Sequence, residues 1–179
     1  MPAYFPLLVI NGQVHDLAHL EPFTFSVHSA RCSRDLRVRV TFSNHCFTKG
    51  IHCTAEADGA EVVERGRRIR VFCAVRYQLS FRLRLAIEGI AAPTVRVYQT
   101  AAARNWCYSI RIDSPDGPYH VFFEVRRAGQ EQRQWQELNL IVESAYPQGA
   151  RPGPALKGHM PFVLLCSKVY LCLPASTRR

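Results

Sequence analysis

The stretch that decides the fold is YHVFFEVRRAGQEQRQWQELNLIVESAYP, residues 119–147. It contains two segments in which apolar and polar residues alternate, joined by a polar turn at about 128–134. The apolar members of the two segments are Tyr119, Val121, Phe123 and Val125, then Leu138, Leu140 and Val142. A period of two is typical of half-buried β-strands, so this stretch predicts an antiparallel pair with one face in the core.

The same alternation recurs upstream. One set precedes the turn Ser-Pro-Asp-Gly-Pro at 114–118 and comprises Trp106, Tyr108, Ile110 and Ile112. Another comprises Leu36, Val38, Val40 and Phe42, and its opposite face carries Arg37, Arg39 and Thr41. Asn11-Gly12 separates two further apolar segments, which is a strong signal for a β-hairpin. These patterns predict a mostly antiparallel sheet with a basic outer face.

One segment, at about residues 75–89, has the spacing of an amphipathic helix. Its apolar residues recur at intervals of three and four: Val75, Leu79, Leu83, Ala86, Ile87 and Ile90. Gly89 and Pro93 are expected to end it. We therefore predict the α+β class, with a mainly antiparallel β-sheet meander and this amphipathic helix packed on it.

The length of 179 residues fits a single domain covering 1–179. We divide it into an N-terminal hairpin and sheet at 5–43, a polar connection at 44–66 with at most a short strand inside it, and the helix and C-terminal meander at 68–173. Within the last part, 147–161 is predicted to be a loop because it is rich in Pro and Gly. The period of Phe162–Leu173 does not distinguish a strand from a short helix.

The composition is that of a globular protein of the cytoplasm. Apolar residues make up 47% and charged residues 21%, and apolar runs stay below the roughly 18 residues of a membrane helix. The N-terminus has no basic leader, so we expect no signal peptide and no membrane partner. The cysteines number seven, an odd count, and several lie in apolar strand patterns, which favours buried free thiols in a reducing compartment.

The charge balance favours a polyanionic partner. Lys and Arg number 23 against 14 Asp and Glu, for a net charge of +9. RNA or another nucleic acid fits this charge, and so does an acidic protein. The alternative without a functional meaning is an Arg-rich surface that reflects genome composition. The candidate nucleic-acid contacts are Arg37, Arg39, Ser80, Arg84 and Lys157.

Two His-Cys pairs, His45-Cys46 and His52-Cys53, bring together residue types that bind zinc, and Cys73 follows. Their spacing matches no standard zinc module, and neighbouring residues on a strand point to opposite faces. We therefore expect no metal, although these residues leave the question open. No nucleotide-loop or metalloprotease motif is present, so no cofactor is expected.

The strands Tyr119–Arg127 and Leu138–Pro147 carry a resemblance to a known group. Together they resemble the C-terminal half of small bacterial ribonuclease toxins of the barnase, EndoU, colicin and RelE-like assemblage. The pieces His45-Cys46-Phe47-Thr48 and Cys73-x-x-Arg76-Tyr77 also resemble uncharacterised proteins encoded near mobile elements. The toxin resemblance implies that RNA is cut on the sheet face without a metal.

Metal-free RNA cleavage needs a base, an acid and a cation that stabilises the phosphorane. The candidate catalytic residues are His45, Arg76, Tyr77, Ser144 and Tyr146. Either His45 or His120 is the proposed base or acid, and Arg76 is the phosphate clamp. We predict a metal-independent ribonuclease of toxin or defence type, with an acidic neutralising protein as a possible partner. The alternatives are a non-catalytic basic module that binds nucleic acid or an acidic protein, and a structural subunit with an Arg-rich interface.

Overall fold

The main sheet of the computed structural model has seven strands among the residues that the structure describes. The structure describes residues 3–51, 62–65, 69–101, 106–110, 117–149 and 152–177. In spatial order the strands of this sheet are β12 (Leu156–Pro161), β8 (Arg96–Thr100), β9 (Trp106–Ile110), β10 (Tyr119–Arg127), β11 (Leu138–Pro147), β4 (Arg34–Phe42) and β3 (Phe23–Ser29). All neighbours are antiparallel except β11 and β4, which run parallel.

Two small sheets and three helices complete the described elements. The sheets are β1 (Leu8–Ile10) with β2 (Gln13–His15), and β5 (Thr48–Gly50), β7 (Ile69–Phe72) and β6 (Val62–Arg65) in that order. The helices are α1 (Ala74–Ser80), α2 (Leu83–Gly89) and α3 (Phe162–Tyr170). Short 3₁₀ turns lie at Ala18–Leu20, Ala30–Cys32, Asn44–Cys46 and Gln130–Gln132. None of the described helices is long and apolar enough to span a membrane.

The predicted α+β class and the meander are confirmed. Strands β8, β9, β10 and β11 follow one another along the chain and pair in that order, each antiparallel to the next. The hairpin at Asn11-Gly12 is also confirmed, because Ile10 pairs with Gln13 across a two-residue turn. Both turn residues have positive φ, 50° and 75°, which is why Asn-Gly suits this position.

The predicted single helix at 75–89 is wrong in its continuity, because α1 and α2 meet at a turn. The Oγ of Ser80 donates a 2.6 Å hydrogen bond to the carbonyl of Tyr77, which a regular helix would offer to the backbone N–H of Phe81. The backbone N–H of Arg82 instead bonds the carbonyl of Leu79, three residues back. Such competition by a Ser side chain bends or interrupts helices.

The structure assigns three segments that the sequence predicted to be mainly irregular or left undecided. The polar connection at 44–66 includes a 3₁₀ turn and strands β5 and β6. The loop predicted at 147–161 includes β12, an edge strand, where Pro is tolerated because one side of the strand needs no partner. The ambiguous segment from Phe162 is a helix, α3.

The two faces of the main sheet differ. One face is buried against α3, where the ring of Phe162 stacks on Phe25 with centroids 6.3 Å apart and meets Phe123 edge-on at 6.0 Å. Its buried residues include Val27, Leu36, Val38, Val40, Phe42, Val121, Leu138, Leu140 and Val142. The opposite face carries Thr24, Arg39 and Arg126, all exposed. The candidate site lies on this second face.

Candidate functional site

A groove opens where β11 extends past the end of β4. The last pair between these strands is Phe42 with Val142, after which the backbone N–H of Ser43 bonds the carbonyl of Val142 at 2.9 Å. From there the chain leaves the sheet as the 3₁₀ turn Asn44–Cys46. That turn and α1 pack against the remainder of β11. The strand therefore ends beside a turn and a helix instead of another strand.

A β-bulge shapes the floor of the groove. Phe122 pairs with Ser144 but Phe123 pairs with Val142, so β11 contains one extra residue, Glu143. The carbonyl of Glu143 accepts a 2.6 Å hydrogen bond from the Oγ of Ser43. Bulges redirect side chains and are common beside functional sites. Here the bulge lies directly beneath the cavity.

The cavity has a volume of about 490 Å³. It is lined by Ser43, His45, Phe122, Ile141, Glu143, Ser144 and Tyr146. This volume is within the usual range of roughly 300–1,000 Å³ for small-molecule sites. The lining combines two aromatic rings with hydroxyl, carboxyl and imidazole groups.

The two aromatic rings form one wall. Phe122 and Tyr146 are stacked, with ring centroids 5.2 Å apart and an interplanar angle of 18°. The Cζ of Arg76 lies 5.1 Å from the centroid of the Tyr146 ring. His120 meets Tyr146 edge-on at 6.3 Å and is hydrogen-bonded to Gln148 at 3.2 Å. Planar groups and a guanidinium thus lie side by side.

Arg76 is held by carbonyl groups. Its NH1 donates to the carbonyls of His45 at 3.1 Å and Thr48 at 2.8 Å. No carboxylate among the described residues pairs with it. Burial lowers its pKa, which shows the cost of placing this charge in a partly dry site. The guanidinium therefore contributes a positive charge that the described carboxylates leave uncompensated.

Arg70 is a second cation, which shares the Thr48 carbonyl with Arg76. Its Nε donates to Thr48 Oγ1 at 2.8 Å and its NH2 to the Thr48 carbonyl at 3.0 Å. Burial, and then the charge of Arg76, lower the pKa of Arg70, while Glu64 partly opposes them. Two neighbouring guanidiniums, one of which lowers the pKa of the other, make this corner of the molecule electropositive.

His45 is positioned through its backbone. Its N–H bonds the Oγ of Ser43 at 3.1 Å and its carbonyl holds Arg76, which leaves the imidazole on the wall of the groove. Burial lowers its pKa below the ordinary value of 6.5, with Arg70 acting in the same direction. The ring is therefore mostly neutral at pH 7 and able to accept a proton.

Four of the five candidate catalytic residues come together. His45, Ser144 and Tyr146 line the cavity, and Arg76 lies over Tyr146. Tyr77 is directed elsewhere, because its hydroxyl donates to the carbonyl of Asp16 at 3.1 Å.

The candidate nucleic-acid contacts are dispersed. Arg37 is bound to Glu137 with an NH2–Oε1 distance of 2.8 Å, and Arg84 is paired with Glu88 at 3.2 Å. Ser80 is buried and bonded to Tyr77 and to His19, the latter at 2.6 Å. Lys157 lies on β12, three strands from β10 and roughly 14 Å across the sheet. Arg39 is exposed, with no hydrogen bond or ion pair to any described residue.

The His-Cys pairs, for which the sequence left metal binding open, form no metal cluster in the part of the chain that the structure describes. No three His, Cys, Asp or Glu side chains there lie close enough to share a metal. Cys46 is fully buried with its Sγ 4.0 Å from the Val142 carbonyl, whereas the neighbouring His45 lines the groove. His52 and Cys53 lie outside the described residues.

Several groove residues escaped sequence reasoning. Ser43, Ile141 and Glu143 gave no local signal, because a bulge and a strand end cannot be located from periodicity. Phe122 did carry one: Phe122-Phe123 breaks the alternation of β10 and places an aromatic ring on the polar face. One ring on an outer face is common, and it indicates a binding surface only when another ring joins it, as Tyr146 does here.

The comparisons with known proteins give one consistent result. The profile of the YjaZ family matches residues 7–170. The protein YjaZ of Escherichia coli (strain K12) is 29% identical over 141 residues, which cover 76% of this chain and 75% of that protein. No solved structure matches the chain.

The resemblance to ribonuclease toxins and to mobile-element proteins is wrong. The family match spans both strands that suggested it, Tyr119–Arg127 and Leu138–Pro147, as well as the N-terminal sheet. Alternation in these strands follows from burial of one sheet face, so unrelated antiparallel sheets share the same pattern. The similarity came from β-structure and not from common ancestry.

Proposed function

The chain belongs to the YjaZ family, and for this member we propose that the groove binds a nucleotide unit of single-stranded RNA. The proposal places the protein in the reducing cytoplasm, where such a partner is available. We propose binding first, because the stacked rings of the groove, with Arg76 against Tyr146 and Arg70 beside Arg76, can hold a ligand without any reaction.

The observation that carries the proposal is the pairing of Arg76 with the stacked rings of Phe122 and Tyr146. Proteins bind single-stranded nucleic acid by stacking bases on aromatic rings and by placing cations along the backbone. Arg76 and Arg70 supply cations that lack a carboxylate ion pair among the described residues. A planar, anionic ligand is the chemistry that satisfies both features.

The charge of the whole chain supports the same choice. A net charge of +9 attracts a polyanion at long range. Glu143 at the cavity wall works against binding close to its own carboxylate, so the phosphate is expected on the side of Arg76. The base then lies against Phe122 and Tyr146.

The test measures binding of a fluorescently labelled single-stranded RNA of about ten nucleotides by fluorescence anisotropy. Tyr146→Leu is expected to weaken binding roughly 5- to 100-fold, since one stacking contact contributes about 1–3 kcal/mol. Tyr4→Leu is the matched control, because Tyr4 is an exposed ring remote in sequence from the groove. Circular dichroism checks that both variants fold.

Salt dependence provides the second readout. Each phosphate contact is expected to contribute about −0.7 to the slope of log K against log salt. Binding that ignores salt, or equal affinity of Tyr146→Leu and the wild type, would contradict the proposal. Binding of an acidic protein without binding of RNA would favour a protein partner.

A second candidate function, metal-independent RNA cleavage, is favoured by His45. A mostly neutral imidazole on the groove wall suits a general base that removes the proton of the ribose 2′-hydroxyl. The 2′-oxygen then attacks phosphorus, and the 5′-oxygen leaves with a proton, giving a 2′,3′-cyclic phosphate and a 5′-hydroxyl. Arg76 would stabilise the charged phosphorane, and Tyr146 or Ser144 would supply the proton.

Cleavage is tested with total bacterial RNA in the presence of EDTA. The wild type is expected to produce cyclic-phosphate ends, and both His45→Gln and Arg76→Ala are expected to lose the activity while remaining folded. RNA that stays intact while being bound would rule out cleavage and retain the binding function.

A further inference from the structure

The groove continues onto the polar face of the main sheet, opposite the face that packs against α3, and we call this surface the open face. It is formed by one face of β10, β11, β4 and β3. Cross-strand pairing places four of its residues in one row: Arg126, Asn139, Arg39 and Thr24. The adjacent row contains Ile141 and its partner Thr41, and Ile141 also lines the groove. The open face and the groove are therefore continuous.

We propose that the open face carries the same RNA strand beyond the groove, with Arg39 binding a backbone phosphate. This inference rests on the proposed function, which fills the groove with one nucleotide. The two rows are separated by two residues along β4, a distance of roughly 7 Å. The phosphate that follows the nucleotide in the groove is therefore expected to lie over this surface.

Among the described residues of this face, Arg39 is the cation that remains available. Arg37 is occupied by Glu137, with which it makes hydrogen bonds of 2.7 Å, 2.8 Å and 3.0 Å. Arg126 is paired with the buried Glu124 at 2.6 Å. Arg39 is exposed and has no such partner among the described residues. Its guanidinium is therefore free to bind an external anion.

Two carboxylates of the open face are already paired. Asp35 is bonded to His28 at 2.8 Å, and Glu124 is held by Arg126. Around Arg39 the exposed neighbour in its row is the hydroxyl-bearing Thr24, and Thr41 follows toward the groove. This surface thus combines an unpaired cation with hydroxyl groups, which suits phosphate contacts that position a strand without reading its sequence.

The experiment compares a short and a long ligand, adenosine 5′-monophosphate and an eight-nucleotide oligoadenylate. Arg39→Gln is expected to leave the affinity for the monophosphate unchanged and to weaken the oligonucleotide roughly two- to fivefold, as for one exposed ion pair. The slope of log K against log salt for the oligonucleotide is expected to decrease by about 0.7. Arg82→Gln removes an equal charge from the exposed turn between α1 and α2 and is the control.

The outcomes separate the two proposals. Unchanged oligonucleotide affinity in Arg39→Gln, or equal losses in Arg39→Gln and Arg82→Gln, would overturn the role of the open face while leaving the groove intact. Equal weakening of both ligands by Arg39→Gln would also overturn it, because the contact would then lie within the groove. A wild-type protein that binds neither ligand would overturn the groove and, with it, this extension.

Discussion

His45 contributes to the groove through both its backbone and its side chain. Its backbone carbonyl fixes Arg76, while its ring lines the groove with a pKa below the ordinary value. Replacement of the side chain therefore leaves the anchor of Arg76 in place. The role of the imidazole ring can therefore be tested without displacing Arg76.

The histidines give the protein an acid-sensitive stability. Burial lowers the pKa of both His45 and His19 from 6.5, so the unfolded chain binds their protons more readily than the folded one. The contribution of these two histidines to the free energy of unfolding is expected to be fully present above about pH 6.5. It is lost progressively as the pH drops through that value. Urea denaturation at about pH 7.5 and about pH 5.5 measures this difference. His45→Gln should reduce it, and stability that rises on acidification would contradict the argument.

Tyr119 tests the cost of an unsatisfied hydroxyl. The residue is fully buried, and its OH has no hydrogen-bond partner among the described residues. Tyr119→Phe is expected to leave stability unchanged or to raise it by about 1 kcal/mol, because an unpaired buried polar group is costly. Tyr77→Phe is the contrast, since it loses the bond to Asp16 and should cost about 1 kcal/mol. Chemical denaturation measures both, and a clear loss of stability in Tyr119→Phe would refute the idea.

At the scale of elements, one buried carboxylate connects β4 to the chain that enters β11. Glu137 lies just before β11, and its side chain is 6% exposed. It accepts hydrogen bonds from the Arg37 backbone and guanidinium and from Arg34. The contact secures the parallel pair at the end opposite the groove. Arg37 therefore stabilises the fold through this contact.

Removal of this carboxylate is expected to destabilise the sheet. Glu137→Ala leaves the Arg37 backbone N–H without its acceptor and removes the carboxylate from the guanidinium, which keeps its bonds to the carbonyls of Arg133 and Gln134. The expected cost is about 2 kcal/mol once the exposure of both Arg residues is considered. Glu88→Ala, which breaks the exposed pair with Arg84, should change stability by no more than about 0.5 kcal/mol. Urea unfolding compares the two variants. Equal effects would show that Glu137 is only a surface charge.

Elements also explain how the groove arose. The parallel pairing of β11 with β4 stops at Phe42, and the bulge at Glu143 turns the free part of β11 toward the 3₁₀ turn. Neither the end of the strand pairing nor the bulge depends on the secondary-structure propensity of a single residue. The groove forms because β11 extends further than its neighbour β4.

For the whole molecule, burial determines which thiols react. Cys46, Cys107 and Cys166 are fully buried, and burial raises the pKa of Cys46 to about 12. Cys172 is exposed. Because the thiolate is the reactive form, brief alkylation of the native protein should modify Cys172 and spare the three buried thiols until the chain is unfolded. Mass spectrometry of the peptides locates the label, and early modification of Cys46 would contradict the described packing.

The sequence by itself determined the local features of this protein. Alternation identified β10, β11 and β4, and Asn11-Gly12 identified the first hairpin, because a period of two and the φ angles of a turn are properties of neighbouring residues. The net charge, which is a sum over residues, also needed no structure. The helix at 75–89 was located but not its break, since the bond between Ser80 and the Tyr77 carbonyl competes with a helix that the apolar spacing alone favours.

Only the tertiary structure decided which residues meet. Periodicity assigns a side chain to a face but does not name the strand beside it, so the parallel contact of β11 with β4 and the bulge at Glu143 were not visible. The same limit applies to charge: Arg37 and Arg39 look alike in sequence, yet Glu137, one hundred residues away, occupies one and leaves the other exposed. A cation's role depends on its nearest partner in space, and distant parts of the chain supply that partner.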